Sequence, residues 1–127
     1  MQKIFIIDDD LSFIKMLERA FAPEKCLVEH ALEGADAIAK LYVMDAMPSV
    51  ILLDIMIPVL SGPDVLKLIK NSDKLKYIPV IILSNLTPPT ETEESIVALG
   101  ALVYLHKADY TTAQIVEKVN EVLKTAP

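Results

Sequence analysis

The segment SVILLDIMIPVLSGPDVLKLIK, residues 49–70, contains the pattern on which the predicted fold depends. An apolar run reaches Asp54 and continues beyond it, and a loop containing Pro58 and Gly62 then leads into a helical pattern. A buried carboxylate without partners is costly, or it becomes neutral through a shifted pKa. We therefore expect Asp54 at the exposed end of a buried strand, with partners that keep it charged.

Composition narrows the class of protein. The chain has 127 residues, enough for one domain with a core, and 53% of them are hydrophobic, which argues against disorder. No apolar run approaches the roughly 20 residues of a membrane span. A strand pattern beginning at Lys3 leaves no room for a signal peptide, and the single Cys26 excludes an internal disulfide. We expect a cytoplasmic protein without membrane insertion.

The net charge of the chain indicates which partners to expect. Eighteen acidic and 12 basic residues give a net charge of −6. The basic residues are scattered along the chain, so direct nucleic-acid binding is not expected. An acidic balance does suit a site for a cation.

Short apolar runs alternate with amphipathic segments along the chain. The predicted strands are residues 3–7, 26–31, 49–53, 79–83 and 101–106. The first, third and fourth are almost wholly apolar, which is typical of central strands in a parallel sheet covered on both faces. The second carries Glu29 and His30, which favours an edge position. Apolar spacings of three and four predict helices over 11–21, 34–44 and 63–71, and a last helix containing Ile115 and Leu123.

Several residues predict where the helices begin and end. Asp10 is expected to be the N-cap of the first helix, and Pro63 suits the first turn of the third. Capping boxes are predicted at residues 90–93 and 111–114, and Gly100 is a suitable C-terminal stop. Five strand–helix units in series then predict right-handed crossovers and a doubly wound α/β sheet.

Polar residues follow the carboxyl ends of four predicted strands, where ligands bind in such sheets. These residues are Asp8, Asp9, Asp10, Asp54, Ser84 and Lys107. Carboxylates brought this close repel one another unless a cation intervenes, and oxygen ligands without His or Cys favour Mg²⁺. Each residue alone also fits an ordinary loop or surface role, so the prediction of a site rests on their coincidence.

This constellation resembles the response-regulator receiver domain of two-component signal transduction, over essentially the whole chain, residues 1–127. The resemblance is carried by IIDDD (6–10), ALEGADAI (31–38), LLDIMIPVLSG (52–62), IILSN (81–85) and YLHK (104–107). It implies a single flavodoxin-like domain: a doubly wound, five-stranded parallel sheet in the order 2-1-3-4-5 with helices on both faces.

The resemblance also implies a phosphorylation switch that catalyses only its own phosphorylation and dephosphorylation. Asp54 would accept a phosphoryl group from a sensor histidine kinase, a phosphotransfer protein or a small phosphodonor. Asp8, Asp9 and Asp54, with the backbone carbonyl of Met56, would bind Mg²⁺. Lys107 and Ser84 would contact the phosphoryl oxygens.

Ser84 and Tyr104 would form the switch, because the resemblance implies that both side chains move when the phosphoryl group is present. They would alter the surface formed by the fourth helix, the fifth strand and the fifth helix. A downstream protein, or an effector domain outside this sequence, would bind there. A homodimer through the fourth and fifth helices is one option.

Alternatives remain open at this point. Ala108 follows Lys107 where the family usually has proline, and Asn85 stands where a small residue is usual. With the pair Pro88-Pro89, they leave open a receiver-like module that signals through contacts without phosphorylation. A haloacid-dehalogenase-type phosphatase would use the D-x-D pattern at 8–10, although the chain is short for one. A flavodoxin-like cofactor binder is disfavoured, because an acidic loop repels phosphate in the absence of a metal.

Overall fold

The five strands of the sheet are parallel and follow the order β2-β1-β3-β4-β5 in the computed structural model, which describes residues 2–85 and 92–125. The strands are β1 (Lys3–Ile7), β2 (Leu27–Ala31), β3 (Val50–Leu53), β4 (Val80–Ser84) and β5 (Val103–His106). The helices are α1 (Leu11–Phe21), α2 (Gly34–Val43), α3 (Gly62–Lys70), α4 (Glu93–Ala98) and α5 (Thr112–Thr125). The predicted fold class and strand order are confirmed.

The burial of the strands agrees with their order in the sheet. Every residue of β3 and β4 is buried, as is β1 from Ile4 onward, whereas most residues of β2 are partly exposed. Side chains alternate between the two faces of each strand. One face carries Phe5 and Ile51 into a core under α2, α3 and α4, and the other carries Ile6 and Leu52 into a core under α1 and α5. The edge position predicted for β2 is confirmed.

Caps fix several helix ends. The Asp10 carboxylate accepts the Phe13 N–H at 3.1 Å, so Asp10 is the N-cap of α1 as predicted. Both hydrogen bonds of the box at 111–114 are present. Gly100 follows the C-cap of α4 with a φ of +121°, as a glycine stop allows. Among the helices of the described ranges, none is long and apolar enough to cross a membrane.

The cap predicted for the fourth helix is wrong. Thr90 lies outside the described residues, and α4 begins at Glu93 with Thr92 as its N-cap. Thr92 forms the capping box with Ser95, so Glu93 is the first helical residue and not the third. The error arises because two threonines, two residues apart, both precede a suitable polar residue.

Other boundaries differ from the prediction by one or two residues. Strands β2 to β5 begin one or two residues later than predicted, α2 ends at Val43, and α3 spans Gly62–Lys70 instead of 63–71. Apolar flanking residues account for part of this difference, because they continue the pattern beyond the ladder. Leu102, for example, lies outside β5 although its N–H donates to the Val80 carbonyl at 2.8 Å.

Candidate functional site

The carboxyl edge of the sheet brings together four residues that the sequence singles out. Asp8 follows β1 and Asp54 follows β3, and these two strands are neighbours. Ser84 is the last residue of β4, which lies beside β3, and Lys107 directly follows β5. Four separate strand ends thus contribute to one cluster.

The Asp54 carboxylate is buried and satisfied by three donors. Its Oδ1 accepts from the Ser84 hydroxyl at 2.6 Å and from the Met56 N–H at 3.0 Å. Its Oδ2 accepts from the Lys107 ammonium at 3.1 Å. Only 7% of Asp54 is exposed, so these donors compensate for the loss of solvent. Asp54 therefore stands at the end of a buried strand, as expected, and has three hydrogen-bond donors there.

Lys107 is held between two carboxylates and an aromatic ring. Its Nζ lies 2.6 Å from Asp8 Oδ2, 3.1 Å from Asp54 Oδ2 and 4.5 Å from the centre of the Phe13 ring. Burial by itself lowers the pKa of this ammonium, but the two carboxylates outweigh burial and the net pKa is raised. Lys107 is accordingly a fixed cation at the centre of the cluster.

Asp8 remains short of positive charge in spite of this contact. Burial raises the pKa of its carboxyl and the negative charge of Asp54 adds to the increase, while hydrogen bonds from Lys107 and from the Asp10 N–H oppose it. The net pKa is raised. A further cation at this position would relieve both burial and repulsion.

A group of carboxylates suited to a metal ion lies beside Lys107. Asp8, Asp9 and Asp54 each offer an oxygen, and these atoms lie within 4.8 Å of one another. Asp9 is exposed, whereas the other two are buried. Hard oxygen donors with surplus negative charge fit Mg²⁺, which commonly retains several waters. The Met56 carbonyl as a further ligand stays a prediction.

The loop that leaves Asp54 needs glycine where its backbone folds back on itself. The Gly62 N–H donates to the Ile55 carbonyl at 3.0 Å, and a Cβ at Gly62 would lie 2.4 Å from the Ile55 Cα. Gly34 supports the same loop from α2, since a Cβ there would lie 2.3 Å from the Leu60 carbonyl oxygen. Val59, at the tip of the loop, has a φ of +70° and an exposed side chain.

Tyr104 lies half-buried on β5, against the core under α2, α3 and α4. Its ring centre is 5.1 Å from that of His106. The His106 Nε2 lies 2.9 Å from Glu93 Oε2, which connects β5 to the first residue of α4. Nothing in the sequence indicates this contact, because it depends on where α4 begins.

The two departures from the family pattern contact each other. The Asn85 side-chain oxygen accepts the Ala108 N–H at 2.9 Å. The peptide bond between Lys107 and Ala108 is trans, as are all peptide bonds of the described residues. No sequence signal could have revealed this pair, since it joins the ends of two strands.

Comparison with known proteins agrees with the geometry. The family model described as the response regulator receiver domain matches residues 4–120. The chain belongs to the response-regulator receiver family. The predicted family is therefore confirmed, and receiver domains of two-component signalling are phosphorylation-based switches and generally not enzymes.

Individual relatives are similar over much of this receiver. Protein PilG of Pseudomonas aeruginosa is 39% identical over 83 residues, which cover 65% of this chain and 60% of PilG. A protein-glutamate methylesterase/protein-glutamine glutaminase of Carboxydothermus hydrogenoformans is 34% identical over 98% of this chain, but over only 36% of its own length. The chain thus corresponds to less than two thirds of either relative.

Solved structures share the whole fold. The chemotaxis response regulator CheY4 of Vibrio cholerae has a TM-score of 0.82 at 27% identity, covering 96% of this chain and 98% of that one. The phosphorylated cyanobacterial phytochrome response regulator RcpA has a TM-score of 0.84 at 27% identity, covering 99% and 96%. The similarity extends over nearly the full length of each receiver.

Proposed function

We propose that the whole chain is one receiver domain whose Asp54 accepts a phosphoryl group in a Mg²⁺-dependent reaction. The observation that carries this proposal is the environment of the Asp54 carboxylate. It is buried, contacted by Ser84 and Lys107 on different oxygens, and grouped with Asp8 and Asp9 within 4.8 Å. Phosphoryl transfer needs an in-line nucleophile and positive charge on the phosphoryl oxygens, and little else from the protein.

In the transfer step, an oxygen of Asp54 attacks phosphorus. The new O–P bond forms as the bond from phosphorus to the donor breaks, and the leaving group departs with the electron pair of the broken bond. Bound Mg²⁺, held by Asp8, Asp9 and Asp54, would neutralise charge on the phosphoryl oxygens. Lys107 changes partner from Asp54 Oδ2 to a phosphoryl oxygen and keeps its contact with Asp8.

The switch begins at Ser84. Its hydroxyl now donates to Asp54 Oδ1, and in the phosphorylated protein it donates to a phosphoryl oxygen. That movement shifts the end of β4, beside the strand that carries Tyr104. Since His106 already connects β5 to Glu93 of α4, the change reaches the surface formed by α4, β5 and α5.

The partners follow from this chemistry. A sensor histidine kinase, a phosphotransfer protein or a small phosphodonor supplies the phosphoryl group in the cytoplasm. A downstream protein, or a further domain, binds the α4–β5–α5 surface. We propose no substrate for the chain other than the donor of this phosphoryl group.

The phosphatase alternative finds less support. Its D-x-D pattern would need Asp10 as the acid, but the Asp10 carboxylate accepts the Phe13 N–H and caps α1. Asp54, which lies outside that pattern, has the more complete set of donors. The module that acts without phosphorylation is tested directly by the experiment below.

The test is intact-mass measurement after incubation with acetyl phosphate, with and without Mg²⁺. Wild type should gain one phosphoryl group only with Mg²⁺, and Asp54→Asn should gain none. Asp45→Asn is the matched control, because Asp45 is exposed and lies before β3, whereas Asp54 follows the opposite end of that strand. Gain of a phosphoryl group by Asp54→Asn would contradict the assignment, and no gain by folded wild type would favour the contact-only module.

A further inference from the structure

Asn85 and Ala108 form one hydrogen bond between two strand ends of the site. The Asn85 side-chain oxygen accepts the Ala108 N–H at 2.9 Å, across 23 positions of chain. Asn85 directly follows β4, and Ala108 is the second residue after β5. The bond therefore ties together the two loops on this side of the acceptor carboxylate.

Each partner is the chain neighbour of a residue that contacts Asp54. Ser84 precedes Asn85 and donates to Oδ1 at 2.6 Å, while Lys107 precedes Ala108 and donates to Oδ2 at 3.1 Å. We propose that Asn85 is a positioning residue, whose side-chain oxygen holds the backbone after Lys107 and so fixes the ammonium relative to Ser84 across the acceptor. This inference rests on the proposed phosphorylation of Asp54.

The backbone at Lys107 needs such a support. Residues Lys107–Asp109 form a single 3₁₀ turn, and the residue before it, His106, makes no side-chain cap hydrogen bond. The first N–H groups of a helical turn have no partner within the turn. Asn85 supplies the missing acceptor from another strand end. One bond that closes the turn, from the Tyr110 N–H to the Lys107 carbonyl, is long at 3.4 Å.

The long side chain of Lys107 makes the placement of its backbone matter for the chemistry. A lysine loses much rotamer freedom when its ammonium is held at one point. Asp8, Asp54 and the Phe13 ring hold the ammonium end, and Asn85 holds the backbone end through Ala108. Loosening the backbone end misplaces the cation against the incoming phosphoryl group, and rates are sensitive to such small errors.

The two positions are chemically coupled. Residue 108 must have an N–H to donate, and a proline there has none. An acceptor at residue 85 is useful only when that N–H exists. Asn85 and Ala108 thus act as one device, and the effects of changing them should not add.

The rate test uses Mg²⁺-dependent phosphorylation of the full chain by acetyl phosphate. Asn85→Leu removes the acceptor at similar size, and Ala108→Pro removes the donor. Each should slow phosphorylation about three- to tenfold, as expected for one hydrogen bond. The double variant should be no slower than either single variant, and Ala108→Gly, which keeps the N–H, should react like wild type.

Two measurements separate positioning from a merely structural role. Asn85→Leu should have no effect in a Lys107→Met background, because a positioning residue acts through the lysine. A structural role would slow both backgrounds equally and would overturn the proposal. In wild type, the Ala108 amide should be protected from hydrogen exchange, and Asn85→Leu should remove the protection while leaving the core strands protected.

The remaining outcomes are also decisive. Wild type that takes up a phosphoryl group while Asn85→Leu reacts at the same rate refutes the positioning role alone. A rapidly exchanging Ala108 amide in wild type refutes the bond itself. Wild type that takes up no phosphoryl group refutes the proposed function, and the role of Asn85 in it is refuted as well.

Discussion

Two partly buried lysines, Lys107 and Lys70, lie at opposite edges of the sheet and differ in the groups that their ammonium ions contact. Lys107, at the carboxyl edge, contacts two carboxylates, and its pKa is raised. Lys70, at the end of α3, donates to the backbone carbonyls of Lys76 at 3.1 Å and Ile78 at 2.9 Å. Burial lowers the pKa of Lys70.

The comparison shows that partial burial of an ammonium does not by itself indicate function. Lys70 joins the end of α3 to the segment before β4, and its side chain packs closely against Gly100. Its acceptors are neutral and fixed, so its role is structural. Lys107 contacts two carboxylates that also form the candidate cation site, and in the proposed transfer it would exchange one of them for a phosphoryl oxygen.

The largest expected effect comes from replacing each lysine in turn. Lys107→Met should slow phosphorylation of Asp54 by about 100-fold, the usual loss when one group that stabilises the charge of a transition state is removed. Lys70→Met should leave the rate of the folded protein unchanged. Both rates are measured from the appearance of phosphorylated protein by mass spectrometry under acetyl phosphate. Equal losses of rate in the two variants would mean that the carboxylate contacts of Lys107 do not give it a role that Lys70 lacks.

A smaller effect is expected from Gly100→Ala at the amino edge. A φ of +121° is strained for any residue with a Cβ, and that Cβ would lie 2.7 Å from the Lys70 Cγ. We expect a loss of about 1–3 kcal/mol in the free energy of unfolding, measured in urea. In a Lys70→Ala background the loss should be smaller, because only the backbone strain remains. Unchanged stability would mean that alanine is tolerated at residue 100 in spite of its positive φ.

Sequence reasoning could predict members of the cluster where a polar residue interrupts or ends an apolar run. Asp54 is visible in this way, and so are Asp8 and Lys107, because parallel strands bring their carboxyl ends to one edge. Contacts between loops were not predictable. The bond from Ala108 to Asn85 depends on the paths that the chain takes after β4 and after β5, and hydrophobic periodicity does not specify these paths.

The amino edge was less predictable still. Lys70 ends an amphipathic helix, where a lysine is ordinarily solvated, so its two carbonyl partners have no signature in the sequence. At the carboxyl edge, the contact of His106 with Glu93 was not predictable either, because it depends on where α4 begins. Hydrophobic periodicity fixes which residues face the core, but it does not fix which polar side chains meet across loops.

The next prediction concerns Asp8 in the absence of metal. Because burial raises the pKa of its carboxyl above the ordinary value of 3.8, the folded protein binds this proton more tightly than the unfolded chain does. Stability therefore falls as the pH rises from 3.8 through the raised pKa, and the loss is complete above it. At pH 7 in a chelator, Asp8→Asn should unfold at higher urea than wild type.

The pH dependence is the control for this prediction. The advantage of Asp8→Asn should shrink as the pH is lowered toward 3.8, where wild type is protonated as well. Added Mg²⁺ should stabilise wild type and not the variant. A variant less stable than wild type at pH 7 would mean that the ion pair with Lys107 outweighs the cost of burying Asp8. The carboxyl edge would then be as well compensated in charge as the amino edge, where Lys70 has its two carbonyl acceptors.

The smallest expected effect concerns backbone strain at the two edges of the sheet. Val59, in the loop at the carboxyl edge, has a φ of +70°, and Lys25, just before β2 at the amino edge, has a φ of +57°. The left-handed region costs an L-residue about 1–2 kcal/mol, and β-branched residues suit it least, whereas Asn tolerates it. Val59→Asn should therefore raise the free energy of unfolding by about 1 kcal/mol.

A graded series tests whether strain is the cause. Lys25→Asn should stabilise less than Val59→Asn, because Lys is not β-branched. Val43→Asn should not stabilise at all, since Val43 is as exposed as Val59, 79% against 80%, but lies at the end of a helix with an ordinary φ. If Val43→Asn stabilised equally, removal of an exposed apolar side chain would explain the gain. The graded order would instead mean that the edge with the candidate site also holds the more strained backbone, as functional sites often do.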